Sequence, residues 1–285
     1  MTSTPPVPAA FVPPPINRLD LTPKPASAGS VSQPLAPGTQ LARQLSITPR
    51  FLAGAGEEED APERPLAESV MTPLADAGWH VWADEVANMH VTSPCGRAYF
   101  GFLPEENPEP VGIWKAWVRP DHYGPRTWMA TFSDDLPYEF VRAFTARWAA
   151  EYRPDDPAFA EPDDGHRDGI ERVLTVLREA GWDRDPTTGI GHAVELWTAP
   201  GGLAGLELRV RASGGIEREI LGGVARWAVW AAPAPYRRRL WAADFSTSTP
   251  TGLIAAFCQA VVDPIPLIRE EHQIPRICRD VVTRA

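Results

Sequence analysis

The 285-residue sequence predicts an α+β fold made of two tandem copies of a helix–antiparallel β-meander–helix module, preceded by a disordered Pro-rich N-terminal segment. Three observations predict it. First, the chain repeats itself. Ala77-Gly78-Trp79 returns as Ala180-Gly181-Trp182, and Trp114-x-x-Trp117 returns as Trp227-x-x-Trp230. Beyond those, Pro120, Tyr123, Arg126, Trp128, Pro137 and Phe144 return at one constant offset as Pro233, Tyr236, Arg239, Trp241, Pro250 and Phe257. An ordered series of this kind marks duplication rather than chance. Second, each copy opens and closes with apolar residues at helical spacing and carries short β-branched and aromatic runs between them. Third, the first 48 residues are dense in Pro, Ser, Thr, Ala and Gly, and hold too little apolar surface to offset the entropy of ordering.

Residues 1–48 read as the disordered leader, in which Pro13-Pro14-Pro15 samples polyproline II. Such a segment serves as a tether or as a docking peptide for a partner's groove. The first repeat is placed at 49–152. Its Glu57-Glu58-Glu59-Asp60 stretch reads as a solvated loop, and its first helix is kinked or restarted at Pro73 and ends at Gly78. Strands follow at Trp79–Ala83, Met89–Ser93, Ala98–Leu103, Ile113–Val118 and Trp128–Phe132. A closing helix starts at Pro137, where proline suits a first turn, with Ser133 as a candidate cap and Phe140, Val141 and Phe144 as its apolar face. An acidic, proline-containing linker at 153–165 leads to the second repeat at 166–262. There Ile170, Val173, Leu174 and Leu177 mark the first helix, and Gly181 caps it. The clearest strands are Val194–Thr198, Leu206–Val210, Trp227–Ala231 and Leu240–Phe245. Pro250 starts the closing helix, with Ser246 or Thr249 as candidate cap and Leu253, Ile254 and Phe257 facing inward. Residues 263–285 form a C-terminal tail with a short helix near Pro275–Thr283.

The run Pro73-Leu74-x-x-Ala77-Gly78-Trp79, then Val91-Thr92-Ser93-Pro94-x-Gly96-Arg97, then Trp114-Lys115, then Trp128-Met129-Ala130-Thr131-Phe132 before a helix, resembles one family. It is similar to the actinobacterial family catalogued as domain of unknown function 317, often found as tandem copies. The resemblance spans residues 50–150 and 160–262, and the second copy departs from it where Pro200-Gly201-Gly202 replaces Ser-Pro-x-Gly. It implies architecture and common origin. The family has no established activity, so no catalytic residue carries over. Its members are often encoded on or near mobile elements, which implies an accessory role by association only.

Composition narrows the function classes. A net charge of -10 repels phosphate backbones and disfavours nucleic acid as the partner. Cys95, Cys258 and Cys278 are odd in number and far apart, which argues against a disulfide framework or a zinc pairing and suggests a reducing compartment. The first ten residues lack the basic start of a signal peptide, and no apolar run reaches membrane-spanning length. A cytoplasmic chain without membrane contact is expected.

Chemistry-bearing residues are scattered. The six histidines form no paired ligand motif, and Gly201-Gly202 and Gly222-Gly223 do not form a phosphate loop. His90 near Asp84 and Cys95 invites a Cys–His reading, but a cysteine after Ser-Pro is more simply a turn residue. Asp134 and Asp135 read as cap and first-turn residues. No catalytic residue, metal or cofactor is therefore assigned. Trp114 and Trp117, three apart on a strand, must face opposite sides of the sheet, as must Trp227 and Trp230. One of each pair is core and the other needs a cover. Face-to-face packing of the two copies is expected to supply it, with a foreign surface as the other option. Arg126 and Arg239 match each other and should pair with an acid or stack on an aromatic ring. Arg237-Arg238-Arg239 beside Tyr236 and Trp241 suggests a small phosphate-and-stacking patch or a solvated turn. The candidate binding residues are thus Trp114, Trp117, Arg126, Trp128, Trp227, Trp230, Tyr236, Arg237, Arg238, Arg239 and Trp241. The expected function is a non-enzymatic binding or adaptor protein whose partner is a protein, with a homodimer allowed. The alternatives are a nucleic-acid-associated accessory of a mobile element and an unrecognised enzyme.

Overall fold

The structure, a computed structural model, describes residues 44–56, 64–106, 112–121, 123–153, 167–188, 194–209, 215–235 and 237–284. The Glu57–Asp60 loop, most of the 153–165 linker and leader residues 1–43 lie outside the described residues.

The first copy runs α1 (Arg64–Asp76), β2 (His80–Ala83), β3 (Met89–Thr92), β4 (Ala98–Phe102), β5 (Trp114–Val118), β6 (Trp128–Phe132) and α2 (Tyr138–Glu151). The second runs α3 (Arg167–Glu179), β7 (Asp183–Arg184), β8 (Val194–Thr198), β9 (Ala204–Arg209), β10 (Trp227–Ala231), β11 (Trp241–Phe245) and α5 (Thr251–Val262). The order is the same, element for element, except that α4 (Ile216–Leu221) is inserted between β9 and β10. Both first helices stop in the same way. Gly78 and Gly181 take left-handed φ of 84° and 76°, which a Cβ would oppose. The next N–H reaches back to the helix, from Trp79 to Leu74 and from Trp182 to Leu177, each 3.0 Å. The same 6→1 closure at both sites throws a buried tryptophan onto its helix. α1 continues through Pro73 to Asp76.

The copies do not pack face to face, as the tryptophan pairs suggested. They join edge to edge. β6 pairs antiparallel with β11, giving one ten-stranded sheet in the order β2-β3-β4-β5-β6-β11-β10-β9-β8-β7. The register is Ala130↔Phe245, Thr131↔Asp244 and Phe132↔Ala243, so Thr131 lies opposite its own counterpart and a local two-fold axis passes between them. Ser133 and Ser246 extend this seam instead of capping helices. The Ser133 hydroxyl accepts from the Ala242 N–H (3.0 Å), and the Ser246 hydroxyl accepts from the Met129 N–H (2.9 Å). The residues preceding α2 and α5, Pro137 and Pro250, make no side-chain cap bond.

Helices α1, α2, α5 and α3 cover one face of the sheet, each packing on the next. Trp128, Trp148, Phe132, Phe140, Phe144, Phe245 and Phe257 are fully buried between helices and strands. Phe132 and Phe245, counterparts across the seam, meet edge to face at 5.6 Å. Two copies thus share one core as well as one sheet.

Order begins before residue 49, correcting the leader boundary. β1 (Gln44–Thr48) pairs with β12 (Leu267–Glu270) and β13 (Thr283–Arg284) in a second, three-stranded sheet. The C-terminal tail thus contributes two short strands, joined through 3-10 turns at Glu271–Gln273 and Arg276–Cys278, the second standing where a helix was expected. Leu45 and Ile47 alternate inward on β1, which is what holds this stretch when the rest of the leader's composition would not. The Trp241 indole N–H donates to the Phe51 carbonyl at 2.8 Å and ties this small sheet to the main core.

Candidate functional site

The other face of the main sheet carries no long helix among the described residues. Strand alternation sets what it displays. On β5, Trp114, Ala116 and Val118 face the helices, while Lys115 and Trp117 face away; on β10, Trp227, Val229 and Ala231 face the helices, and Trp230 faces away. Trp114, Trp128, Trp227 and Trp241 are thus core residues, at most 4% exposed, and are withdrawn as binding residues. Trp117 and Trp230 remain on the open face, each flanked by the matched arginine. Arg126 lies 4.7 Å over the Trp117 ring and pairs with Glu217 at 2.9 Å. Arg239 lies 5.5 Å over Trp230 and pairs with Glu207.

The arginine triplet does not form one patch. Arg237 and Arg239 line the open face, while Arg238 lies in the field of Asp135 on the turn before α2. Tyr236, like His122, His166 and His192, lies outside the described residues.

A single cross-strand row crosses nine strands on this face, β2 to β8, and ends one residue past β7. It reads Trp82, His90, Gly101, Lys115 and Thr131 in the first copy, then Asp244, Ala228, Glu207, Leu196 and Asp185 in the second. The local two-fold axis makes these counterparts in order: Trp82 with Asp185, His90 with Leu196, Gly101 with Glu207, Lys115 with Ala228 and Thr131 with Asp244. All five pairs differ. The first half of the row is aromatic and basic; the second is acidic and aliphatic. Burial, first, pushes the Asp244 carboxyl up to about 6, against the pull of Arg239 and Arg209 and with a contribution from Glu207.

In the first copy the face is filled by a ladder of rings. Trp82 stacks on His90 at 3.9 Å, His90 Nδ1 is 2.6 Å from the Tyr99 hydroxyl, and Tyr99 stacks on Trp117 at 3.7 Å. His90 Nε2 lies 3.3 Å from Asp84. Burial opposes ionisation of Asp84, but hydrogen bonds from the Asn88 side chain, His90 and the Asn88 and Val86 N–H groups outweigh it and hold the carboxyl below its usual range. Gly101 lies under the Tyr99 hydroxyl, where a Cβ would collide with it. The sequence signal for this ladder was that glycine in a strand, which marks a close approach; the His90–Tyr99–Asp84 line itself needs the register.

The ladder stops at the seam. Leu196 and Gly205 stand where the first copy has His90 and Tyr99, and the space they release forms a groove of about 650 Å³. Trp230 lies across Gly205 as one wall; Pro186, Pro235 and Leu196 add apolar surface, and Asp183, Asp185 and Arg237 stand among its polar lining. Over the first copy, the matching pocket is about 380 Å³ and is narrowed by α4. Ile216, Ile220 and Ala225 cover Met129 and Trp117, and the buried Glu219 carboxylate holds α4 by accepting from the Thr247 N–H (2.8 Å) and hydroxyl (2.9 Å).

The Cys–His pair is not made. Cys95 Sγ lies 2.7 Å from the Tyr152 hydroxyl and 3.4 Å from Ser93 Oγ. Burial raises its thiol, yet hydrogen bonds with Ser93, Tyr152 and Arg97 outweigh it and bring it down to about 7. Among the described residues no three His, Cys, Asp or Glu side chains group as metal ligands, and no helix is long and apolar enough to cross a membrane.

Fold and face together define a tandem α+β repeat protein with one helix-covered and one largely uncovered sheet surface. Two stretches, residues 92–158 and 198–267, match the family described as SPDY, a domain of unknown function (DUF317). The matches start at β3 and β8 and run past α2 and α5, leaving out the first helix of each copy. No curated protein and no solved structure matches the chain.

Proposed function

We propose that the chain is a cytoplasmic, non-enzymatic binding protein that holds an extended protein segment on the uncovered face of its sheet. The observation that carries this reading is the groove over the second copy, where an aromatic wall, Trp230, stands beside apolar and charged groups. Binding sites combine apolar walls with a few placed polar groups in this way, and tryptophan dominates interface energetics. The polarity of the cross-strand row sets the orientation: basic residues of the partner lie toward Asp183 and Asp185, acidic ones toward the first copy.

Protein is favoured over nucleic acid because the arginine triplet divides. Arg238 faces Asp135 and Arg239 is held by Glu207, so among the described residues of the triplet only Arg237 shows no acidic neighbour, in a chain of net charge -10. The test is capture from native lysate by the full chain and by Trp230→Ala. A defined protein retained by the first and lost by the second, at unchanged melting temperature, is the expected result. Equal capture by both sinks the groove reading, and retention of single-stranded DNA at physiological salt sinks the choice of partner.

A further inference from the structure

We propose that the groove over the second copy seats the chain's own leader, with Pro13-Pro14-Pro15 against Trp230 and Arg18 at Asp183 and Asp185, an assignment that rests on the groove being a seat for an extended segment. One cross-strand row runs along the groove: Trp230 on β10, Gly205 on β9, Thr198 on β8 and Asp183 on β7. Three inter-strand spacings, about 14 Å, separate the tryptophan from the acid. Two residues on, Asp185 lines the same groove and is aimed by Thr187, whose N–H (2.8 Å) and hydroxyl (2.7 Å) donate to one carboxylate oxygen.

The comparison between copies isolates these two ends. The corresponding row of the first copy is Trp117, Tyr99, Thr92 and His80. There Tyr99 stacks on the tryptophan at 3.7 Å and a histidine ends the row. Only in the second copy does a glycine stand in place of the stacked ring and an acid end the row.

The leader matches both ends. Residues 1–43 carry ten of the chain's 32 prolines, and their cations, Arg18, Lys24 and Arg43, outnumber the one acid, Asp20, in a chain of net charge -10. Proline-rich segments in polyproline II seat on aromatic-lined grooves because little entropy is lost in ordering them. That helix repeats every three residues, so Pro15 and Arg18 share an edge about 9 Å apart, and the arginine side chain covers the rest of the span. The groove's own cations leave the acids accessible. Arg239 and Arg184 are held by Glu207 and Glu195, and Arg237 stands on the turn after β10, at the proline end.

The tether reaches. The leader enters β1 at Gln44, and Thr48 and Pro49 at the far end of that strand share a pocket with Ala199, Pro200 and Leu203. Gly202, on the same turn, lines the groove. β1 is about 13 Å long. The 25 residues between Arg18 and Gln44 span about 25 to 30 Å as a flexible chain. Such a tether holds the leader at an effective concentration on the order of millimolar, which a partner segment has to outcompete.

The test is photo-cross-linking within the full chain, with Ile16 replaced by p-benzoylphenylalanine and the linked peptides mapped by mass spectrometry. Links inside one chain, to the Leu196–Thr198 segment or to Trp230, are expected. At a millimolar site about half the chains are docked, and an affinity loss of about tenfold on Arg18→Glu leaves about a tenth, so the yield should fall about fivefold. Asp183→Arg with Asp185→Arg should do the same, and adding Arg18→Glu to that pair should restore the link. Links elsewhere, links only between chains, or a yield indifferent to either charge reversal overturn the proposal, as does a combined reversal without recovery. The two readings fail separately. No link, with capture lost by Trp230→Ala, ends the leader's docking alone; a charge-dependent link, with equal capture by Trp230→Ala, supports the docking and ends the reading of a foreign partner in this groove.

Discussion

Replacing Asp244 by Asn tests the electrostatics of the seam directly. The side chain sits mid-strand on β11, opposite Thr131, with Arg239, Glu207 and Arg209 as its charged neighbours. Burial pushes its carboxyl from the ordinary 3.8 up to about 6. The sign follows from linkage. Below about pH 4 the carboxyl is protonated in both folded and unfolded chains and costs nothing; above about pH 6 it is ionised in both, and only the folded chain bears the penalty. The ceiling on that penalty, at 1.36 kcal/mol per decade, is about 3 kcal/mol. Because part of the side chain reaches solvent, about 1 to 2 kcal/mol is the working expectation. Asn keeps the shape and removes the charge. The stability difference, Asn variant minus parent, should therefore be near zero at pH 4, rise through pH 5 to 6 and stay flat above. Urea unfolding followed by tryptophan fluorescence at four pH values measures it. A difference that is independent of pH, or that favours Asp at pH 7, would refute a raised carboxyl at this position.

Three further outcomes are expected. Ser133→Ala and Ser246→Ala each strip a partner from a backbone N–H at the seam, of Ala242 and Met129, and each should cost about 1 to 2 kcal/mol by chemical denaturation. Gly205→Ala places a Cβ 2.5 Å from the Trp230 indole and 3.1 Å from the Trp197 carbonyl, so the indole must leave its position; a loss of about 1 to 3 kcal/mol, with loss of any groove partner, should appear in thermal melts and capture assays. Cys95, with its thiol near 7, should be alkylated by iodoacetamide with half-maximal rate near pH 7, while Cys258 and Cys278, pushed up to about 12 and about 11 by burial, stay unlabelled in the native chain by mass spectrometry.

The duplication and the strands were legible because they rest on local chemistry. Trp128–Phe132, Val194–Thr198 and Trp227–Ala231 were placed to the residue, since aromatic and β-branched runs bounded by turn residues have few other uses. The seam was not legible. Trp117 and Trp230 alternate outward whether the sheets stack or join, so period alone could not separate the two arrangements. β7 was missed because Asp183 and Arg184 are both exposed and carry no apolar period. α4 was missed because it is a single short insertion, held by one buried carboxylate, Glu219, and by only two inward apolar residues, Ile216 and Ile220. β1 hid inside the leader because two inward residues, Leu45 and Ile47, are too few to outweigh the composition around them. The ladder on the first copy depended on cross-strand register, which no single strand encodes.

The two faces of the sheet have diverged to different degrees, and that difference locates function. Facing the helices, the copies keep Trp114 with Trp227, Trp128 with Trp241, Phe132 with Phe245 and Phe144 with Phe257, all buried. The seam explains this: β6 and β11 share one core, so a volume change in either copy is felt by both. Facing outward, all five counterpart pairs of the cross-strand row differ, and two changes, His90 to Leu196 and Tyr99 to Gly205, open the second groove while the first copy stays filled. Nothing in packing requires the cross-strand row to differ in this way, with His90 and Lys115 in its first half and Asp244, Glu207 and Asp185 in its second. Mid-strand Asp244, raised by burial, is an electrostatic cost that a purely structural seam would shed for the Thr found opposite it. On the proposed reading, the outer face is where the duplicate copies are put to separate use, as a binding surface with two unlike pockets.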